Sequence, residues 1–500
     1  WATFDSVINQ HLKLGAKNTI YTHHQLHDEI LDIVSNMTVD KLINQVKHAR
    51  IFSIIMDETP NISMKEKLSM LFRHVDMNGE VQESLVGLQT ATNTTGKHLF
   101  NQLCCFLSKK GLSVEMICGQ SYDGGSNMSR KVKGVKSHIL EMNPKGLYVH
   151  CSGHVLNLCI MNVTSWNRIT EDYFVSINEL YKLIENSPKR KYIFEEEQKS
   201  FDKKSRPRLL QSLSQTSQKM SLVKTLERTI SEDTDGQSRT RARVTDILHD
   251  ILQLLSACLQ APQLDLVAVK KLVILTKSKL SAMRDESKFK EYFKTASKHA
   301  NELKIPVIST APSSKDTRRG ELAEMTPEVY FRIQFYYPVL VTEFSQCFGN
   351  VDTLEAFTAL SKVLQRIPKN TSSDQNDIDP TTFVTEYCVS CEYYFKIGSK
   401  VENNLTDVVK LLTKQGLESS FPNVTVMYKI AVTLPVTSAG VEHTFSKLKL
   451  IKMRLHSTMG DKRLQTLIII SIERNSLDSI EVSDIIDKFA EQENHRIRFR

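Results

Sequence analysis

A short apolar run that ends in two acids is the feature that most constrains the fold of this chain. Residues 51–60 read Ile-Phe-Ser-Ile-Ile-Met-Asp-Glu-Thr-Pro. A run of this length, rich in isoleucine and closed by Thr-Pro, is typical of a buried central β-strand rather than of a helix. An acid at the end of such a strand projects beyond the sheet, where ligands and metal ions are commonly held. Asp57 is therefore the first candidate for chemistry.

The segments around this strand predict a mixed sheet. Residues 3–50 have the spacing of two helices. Asn78-Gly79 between two strand-like segments is a strong hairpin signal, so the first three strands are expected to be consecutive and antiparallel. The pattern then predicts a helix over 96–110, a strand that ends before Asp123, a helix to about 142 and a strand over 147–151. An acid thus follows both the first and the fourth strand, and this order is that of a ribonuclease H-like sheet.

Length and composition bound the setting of the protein. A chain of 500 residues is long enough for two or more lobes. Its nine cysteines have no regular spacing, which favours reduced thiols in a cytosolic or nuclear protein. No apolar run approaches the roughly 18 to 20 residues of a membrane helix, so we expect no membrane partner. The sequence begins at Trp1 rather than at Met, and we expect it to be a piece of a longer product.

Positive charge is concentrated in one stretch of the chain. The formal net charge is +8, and residues 186–228 alone hold eleven Lys and Arg against five acids, a local excess of six. Such an excess is typical of a surface that contacts DNA phosphates. A solvated helix face beside a basic loop explains the same charge equally well. Under the first interpretation the DNA-binding residues are Lys203, Lys204, Arg206 and Arg208.

Helical patterns fill the rest of the sequence. From about 157 to 430 they predominate, which predicts a large all-α insertion. Pro435 then predicts a helix start, with Glu442 in its first turn. The next helix, 462–472, is more apolar than one lobe needs, so we expect a protomer interface there, with further core as the alternative. The side chains assigned to dimerisation are Phe445, Leu448, Leu464, Ile468 and Ile470.

Four motifs carry a family resemblance. They are Asp57-Glu-Thr, Gly119-Gln-Ser-Tyr-Asp123-Gly-Gly-Ser-Asn-Met128, Tyr148-Val-His-Cys-Ser-Gly-His154-Val-Leu-Asn-Leu158 and Leu434-Pro-Val-Thr-Ser-Ala-Gly-Val-Glu442-His-Thr-Phe-Ser-Lys-Leu448. Together they resemble a transposase of the hAT superfamily, in the branch of zinc-finger MYM-type and THAP-bearing repressor proteins. The resemblance implies an α/β fold, in which a ribonuclease H-like mixed sheet is interrupted by a large all-α insertion and followed by C-terminal helices and a dimerisation region.

The resemblance also implies domain limits and site residues. It divides the chain into N-terminal helices (1–50), the first part of the ribonuclease H-like domain (51–165), an all-α insertion (166–430) and the last part with the dimerisation region (431–500). By motif, Asp57, Asp123 and Glu442 match the family's metal-binding acids, which would hold Mg²⁺ or Mn²⁺. Cys151 and His154 match its Cys-x-x-His element beside the active site. Without the family, a single Cys-x-x-His supplies only two of the four ligands that zinc needs.

Three function classes fit these observations. An active transposase would cut DNA and transfer strands by two-metal phosphoryl transfer, which the three acids favour. A domesticated, catalytically inactive regulator would stay associated with DNA and act through dimerisation. The missing Thr-Arg-Trp element near 212–219 favours this alternative, since tryptophan occurs only at positions 1 and 166. A dimerisation scaffold would need only the C-terminal region. The first two classes predict a nuclear protein with DNA and a second copy of itself as partners, and the sequence leaves open whether catalysis survives.

Overall fold

The computed structural model describes most of the two ends of the chain and short parts of its middle. The described residues are 24–60, 66–130, 132–165, 187, 255, 258–259, 261, 264–282, 290, 294, 339–348, 382–383, 385–390, 405–455 and 459–491. They fall into two compact units. The first comprises Trp1–Cys151 and Val363–Arg500, and the second comprises Ser152–Lys362.

The first unit is built on a five-stranded mixed sheet. Its strands are β1 (Phe52–Pro60), β2 (Glu66–Val75), β3 (Val81–Ala91), β4 (Ile117–Tyr122) and β5 (Leu147–His150). Their spatial order is β3-β2-β1-β4-β5. Strands β1, β2 and β3 pair antiparallel, whereas β4 pairs parallel with both β1 and β5. The apolar run around Ile54 and Ile55 is thus the central strand, and both side chains are fully buried.

The predicted hairpin connects β2 and β3. Gly79 lies in the turn with φ at +75°, a conformation that suits glycine because it lacks a Cβ atom. The carboxylate of Asp76 accepts the backbone N–H groups of Asn78 at 2.9 Å and Glu80 at 2.8 Å. A local side-chain bond of this kind closes the turn and fixes the register of the hairpin.

Helices account for most of the remaining described residues. In chain order they are α1 (His24–Ala49), α2 (Gly96–Lys109), α3 (Ser126–Ser129), α4 (Val135–Met142), α5 (Ser152–Ser165), α6 (Leu266–Ala282), α7 (Val339–Cys347), α8 (Leu405–Lys414), α9 (Pro422–Thr433), α10 (Ala439–Leu455), α11 (Asp461–Ile472), α12 (Arg474–Leu477) and α13 (Val482–Ala490), with short 3-10 helices at Val114–Met116 and Leu417–Ser419. Among the described helices, none is long and apolar enough to cross a membrane.

Different parts of the chain cover the two faces of the sheet. Successive side chains of a strand point to opposite faces. On β2, Phe72 faces helix α2, where its ring centroid lies 6.1 Å from that of Phe106 in an edge-on contact. The next residue, Arg73, faces the C-terminal segment, and its Nε donates to the carbonyl oxygen of Val432 at 3.0 Å. The C-terminal helices therefore pack on the opposite face from α2.

Helix α11 is part of the core of this unit. Leu464 and Ile468 are fully buried in the same hydrophobic core as the sheet. Helix α1 packs against α11, because Thr466 Oγ1 donates to Asp32 at 2.7 Å and other polar contacts join the two helices. In the single chain, this helix therefore belongs to the core, which was the alternative to a protomer interface. Leu448 is also buried, and Phe445 and Ile470 are half-buried, so a dimerisation role for these five side chains stays a prediction.

The α/β class with a ribonuclease H-like mixed sheet, a helical insertion and C-terminal helices is confirmed. The elements that the structure describes in the second unit are all helices, namely α5, α6 and α7. It begins at Ser152, whereas the predicted insertion begins at 166. The predicted domain limits therefore stay predictions.

Candidate active site at the ends of the central strands

Asp57 and Asp123 lie at the same edge of the sheet. Strands β1 and β4 are parallel, and Ile55 is the partner of Ser121. Asp57 lies two residues after Ile55, and Asp123 lies two residues after Ser121. The two acids are therefore level with each other, and their side chains point to the same face of the sheet. Backbone N–H groups hold the two carboxylates, since Glu58 donates to Asp57 Oδ1 at 2.8 Å and Gly125 donates to Asp123 Oδ1 at 3.0 Å. Parallel pairing thus brings the two predicted acids together, but β1 continues to Pro60, so Asp57 lies within its strand rather than at the predicted end.

Two glycines turn the chain directly after Asp123. Gly124 has φ at +71°, in the left-handed region that favours glycine. A Cβ atom on Gly125 would lie 3.0 Å from Asp123 Oδ1 and 3.1 Å from Asn127 Oδ1. Without these side chains, helix α3 begins beside the carboxylate and returns Asn127 towards β1. There the Asn127 amide donates a hydrogen bond to Glu58 Oε2.

The third acid reaches the site from the C-terminal segment. Residues 434–438 cross β4 so closely that a Cβ atom on Gly119 would lie 2.9 Å from Leu434 Cδ2 and 3.0 Å from Pro435 Cδ. The first turn of α10 then packs on β2, where a Cβ atom on Gly440 would lie 2.7 Å from Leu71 Cδ2. By strand alternation Leu71 points to the same face as Ser69, the antiparallel partner of Asp57. Helix α10 therefore carries Glu442 to the face on which Asp57 lies.

The charges of these acids act on one another. The pKa of Asp57 is raised well above its ordinary value, first by burial and then by the negative charge of Asp123. The carboxylates of Glu442 and Glu58 raise it further, and the N–H group of Glu58 lowers it. Since like charges raise the pKa of a carboxyl group only at short range, the three predicted site acids share one electrostatic environment.

A cavity of about 260 Å³ opens beside the two strand-end acids. It is lined by Asp57, Glu58, Glu66, Thr94, Asp123, Asn127 and Met128. Glu442 is not a lining residue and affects the site through its charge. Burial raises the pKa of Glu58 to about 7, with Asn127 lowering it and the charges of Glu66 and Asp123 raising it. Oε1 of Glu58 is buried and has no hydrogen-bond partner in the described part of the chain.

The residues of the site suit a divalent cation by their chemistry. Mg²⁺ and Mn²⁺ prefer carboxylate oxygens, and a cation relieves the repulsion that raises the pKa of Asp57. The unpartnered oxygen of Glu58 is a further donor to such an ion. Within the described ranges, however, no group of three or more His, Cys, Asp or Glu side chains is arranged so that it could hold a metal ion. Binding of one ion by Asp57, Asp123 and Glu442 together therefore stays a prediction that requires their side chains to move.

Cys151 and His154, predicted to support the active site, belong to different compact units. Cys151 follows β5 and is 1% exposed. Its Sγ accepts hydrogen bonds from the backbone N–H of Ser438 at 3.2 Å and from Ser438 Oγ at 3.1 Å. His154 is half-buried in the first turn of α5. The supporting roles of both residues stay predictions.

The predicted DNA-binding residues Lys203, Lys204, Arg206 and Arg208 lie outside the described residues. Five residues of the cavity were not predicted from the sequence, namely Glu58, Glu66, Thr94, Asn127 and Met128. Three of them stand inside recognised motifs, so the motifs gave a signal for them: Glu58 follows Asp57, and Asn127 and Met128 end the Gly-Gly-Ser-Asn-Met sequence. Glu66 is brought to the cavity by the pairing of β2 with β1, and Thr94 lies in the loop between β3 and α2, so neither position gave such a signal.

The fold and the acids define a ribonuclease H-like protein whose C-terminal helices complete the domain. Residues 3–134 match the family model described as the ZMYM1/FAM200, RNase-like domain. Residues 389–476 match the hAT family C-terminal dimerisation region. The chain therefore resembles hAT transposases in both of these parts, and the predicted resemblance is confirmed.

Two curated relatives share part of the chain. Both carry the name 52 kDa repressor of the inhibitor of the protein kinase, one from Homo sapiens and one from Mus musculus. The human protein is 28% identical over 155 residues and the mouse protein is 28% identical over 153 residues. Each match covers 31% of this chain and 20% of the relative. The chain thus matches about a fifth of the length of these relatives.

Proposed function

We propose that this hAT-derived protein acts on DNA in the nucleus and that its acidic site performs metal-dependent phosphoryl transfer. One observation carries the proposal: Asp57, Asp123 and Glu442 come from a central strand, a neighbouring parallel strand and a distant helix, and their charges act on one another. Mg²⁺ or Mn²⁺ bound by these acids would activate the attacking oxygen and stabilise the leaving oxygen of a phosphodiester.

The residues of the chain would orient this chemistry. Asp57 and Asp123 are held by backbone N–H groups just beyond the parallel pairing of β1 with β4, so they would bind a cation from the side of the sheet. Glu442 would bind it from the side of α10. Asn127 holds Oε2 of Glu58 by a hydrogen bond, and Oε1, which has no partner among the described residues, would be a further ligand once the side chains move. Rigid strands and backbone contacts are the supports that precise positioning needs.

Cleavage of a labelled DNA duplex in the presence of Mn²⁺ tests this proposal. We expect the parent protein to cut the duplex and Asp123→Ala to lose the activity, because the substitution removes one of the strand-end acids. Glu141→Ala is the matched control, since Glu141 is an exposed acid of the same unit on α4. Cleavage by the parent and the control but not by Asp123→Ala would support catalysis. A parent protein that does not cut would contradict it.

The relatives favour a second candidate function. Their name describes repressors, which is a regulatory activity. A domesticated, catalytically inactive protein would keep the fold, the association with DNA and self-association through the matched dimerisation region. We include in this second proposal that the chain is related to zinc-finger MYM-type proteins. DNA binding by a parent protein that does not cleave the duplex would support this second function.

Association with DNA is tested through its salt dependence. Replacing Lys203, Lys204, Arg206 and Arg208 by Gln should reduce the slope of log K against log salt concentration, by about 0.9 for each DNA phosphate that the variant no longer neutralises. The control replaces Lys271, Lys277 and Lys279, which are exposed on α6, by Gln. A slope that is unchanged in the first variant would assign the basic stretch to solvated surface.

A further inference from the structure

Cys151 connects the end of strand β5 to the segment that precedes helix α10. Its thiol is buried, and its sulfur accepts two hydrogen bonds from one residue, Ser438: one from the backbone N–H at 3.2 Å and one from Oγ at 3.1 Å. Ser438 is itself buried. Each bond to sulfur is weak, but the pair fixes both the backbone and the side chain of Ser438.

Ser438 in turn holds the first turn of α10. Its carbonyl oxygen accepts the backbone N–H of Val441 at 3.0 Å and that of Glu442 at 3.2 Å. The backbone of Glu442 is therefore one hydrogen bond away from the residue that Cys151 fixes. Val441 is fully buried in the core, so the helix cannot rotate about its axis without disrupting apolar packing.

The segment before Ser438 is fixed at its other end as well. Leu434 and Pro435 lie so close to β4 that Gly119 leaves no room for a Cβ atom. Only Val436 and Thr437 lie between Pro435 and Ser438, the residue that is bonded to Cys151, and both are buried. The crossing segment is thus held at two adjacent strands, β4 and β5, and it has little freedom to place α10 elsewhere.

We propose that Cys151 is a positioning residue for Glu442. The thiol at the end of β5 sets, through Ser438, where the first turn of α10 lies above the strand-end acids. This inference rests on the proposed function of Asp57, Asp123 and Glu442, and it gives the cysteine of the Cys-x-x-His motif a role that needs no metal at the sulfur.

Hydrogen exchange in metal-free protein tests the positioning. The measured quantity is the exchange rate of the amides of Val441 and Glu442 in the full chain. Cys151→Ala removes the acceptor, so we expect exchange there to rise by about threefold to tenfold, the range that corresponds to losing one or two modest hydrogen bonds. Cys151→Ser keeps an acceptor and should restore most of the protection. Ser438→Ala keeps the thiol and loses only the Oγ bond, so it should give a smaller rise.

Cys118→Ala is the matched control. Cys118 is a buried thiol in β4 of the same unit, and its Sγ also lies 3.2 Å from a serine hydroxyl, that of Ser53. The hydrogen bonds from Ser438 go to Cys151 and the serine beside Cys118 is Ser53, so Cys118→Ala reports the general cost of removing a buried thiol. The inference is overturned if Cys151→Ala leaves the exchange of Val441 and Glu442 unchanged, if Cys118→Ala raises it equally, or if Cys151→Ser fails to restore it.

A second measurement separates this inference from the proposed function. If the acids bind Mn²⁺, the melting temperature of the parent should rise with added Mn²⁺, and this rise should shrink in Cys151→Ala but persist in Cys151→Ser and Cys118→Ala. A parent that shows no rise would contradict the metal site while the exchange rates still decide whether Cys151 positions α10. A rise of equal size in the parent and in Cys151→Ala would show that Glu442 does not depend on the thiol.

Discussion

Glu473, between α11 and α12, places a carboxyl group inside the core beside an edge strand. It is 8% exposed, and its Oε1 accepts the backbone N–H of Leu85 at 2.6 Å. Leu85 adjoins a bulge in the pairing of β2 with β3, so the side chain satisfies a backbone group where the ladder is irregular. Burial raises the pKa of Glu473 from 4.5 to about 7, although the bond from Leu85 lowers it. Satisfying that backbone group therefore has a cost that depends on pH.

Stability should fall as the pH rises because of Glu473. Between pH 4.5 and about 7 the carboxyl group keeps its proton in the folded protein and loses it in the unfolded chain. The folded state thus binds more protons, and the free energy of unfolding decreases through this window. Glu473→Gln keeps an oxygen acceptor and cannot ionise. At pH 8 the variant should be more stable than the parent by up to about 3 kcal/mol, and near pH 4.5 the two should be alike.

Urea unfolding at pH 4.5 and pH 8 measures this difference. Glu481→Gln is the control, because Glu481 is an exposed acid eight positions further along the chain. It should leave the pH dependence of the parent unchanged. If Glu473→Gln shows the same loss of stability between the two pH values as the parent, the buried carboxyl group is not the cause.

Single residues differed in how far the sequence could predict them. Asp57 and Asp123 were predicted because each follows an apolar strand, and the register of β1 with β4 places them together. Glu58 and Glu473 were not, because their environments depend on contacts that no local pattern encodes. Glu473 lies 388 positions from Leu85, the residue it contacts. A hydrophobic pattern shows which element a residue is on, but not which distant backbone group its side chain meets.

At the scale of elements, strand β4 needs glycine at position 119. A Cβ atom there would lie 2.5 Å from Ser53 Oγ, 2.9 Å from Leu434 Cδ2 and 3.0 Å from Pro435 Cδ. Gly119→Ala should therefore push the crossing segment away from the sheet and lower the free energy of unfolding by about 1 to 3 kcal/mol, the usual cost of overpacking. Thermal unfolding measures the loss, and any Mn²⁺-dependent rise in melting temperature should decrease as well.

Gly460→Ala is the matched control for this substitution. Nothing lies within 4 Å of a Cβ atom placed on Gly460, and it precedes α11 in an ordinary extended conformation. It should cost less than about 1 kcal/mol, as expected for alanine in place of glycine at the start of a helix. Equal losses in the two variants would mean that the close approach to β4 does not matter.

A buried ion pair joins β2, β3 and the end of α9. Arg73 is fully buried, and its Nη1 lies 2.6 Å from Oε1 of Glu83, which is also buried. Burial raises the pKa of Glu83, while the charge and hydrogen bond of Arg73 lower it. The same guanidinium donates to the carbonyl oxygen of Val432, so it fixes α9 just before the segment that leads to Glu442.

Breaking this pair from one side should cost more than removing it. Arg73→Met leaves Glu83 buried without its guanidinium partner and should destabilise the protein by about 3 to 5 kcal/mol. The double variant Arg73→Met, Glu83→Leu removes both charges and should recover most of that loss, because no buried charge then remains without a partner. Urea unfolding of the parent and the two variants measures the difference. A double variant as unstable as the single one would contradict this account of the pair.

Elements and the hairpin between neighbouring strands were predicted closely, while the packing of segments far apart in sequence was not. The hairpin between β2 and β3 follows from Asn78-Gly79, because the turn and the strands are contiguous in sequence. The packing of α1 against α11 joins segments more than 400 positions apart, as the 2.7 Å bond from Thr466 to Asp32 shows. The apolar sequence of α11 predicted correctly that this helix is buried. It did not show whether α1 or a second protomer covers it.

At the scale of the whole molecule, helix α13 offers an exposed apolar face for self-association, in addition to the predicted side chains of α10 and α11. The match to the hAT dimerisation region ends at residue 476, and helix α13 begins six residues later, at Val482. Val482 is 67% exposed and Ile486 is 53% exposed. They are four positions apart and so lie on one face of α13. Because this apolar face continues directly from the dimerisation region, we expect a second copy of the chain to cover it.

Sedimentation of three proteins tests where the chain self-associates. Val482→Asp with Ile486→Asp should give folded monomers with the melting temperature of the parent, because the charges enter an interface without disturbing the core. Ile468→Asp should instead lower the melting temperature strongly, since it places an unpaired charge in the core of the first unit. If the α13 variant sediments like a dimeric parent, its apolar face is not the interface. If Ile468→Asp gives folded monomers, the predicted interface on α11 is right and the exposed face of α13 has no part in it.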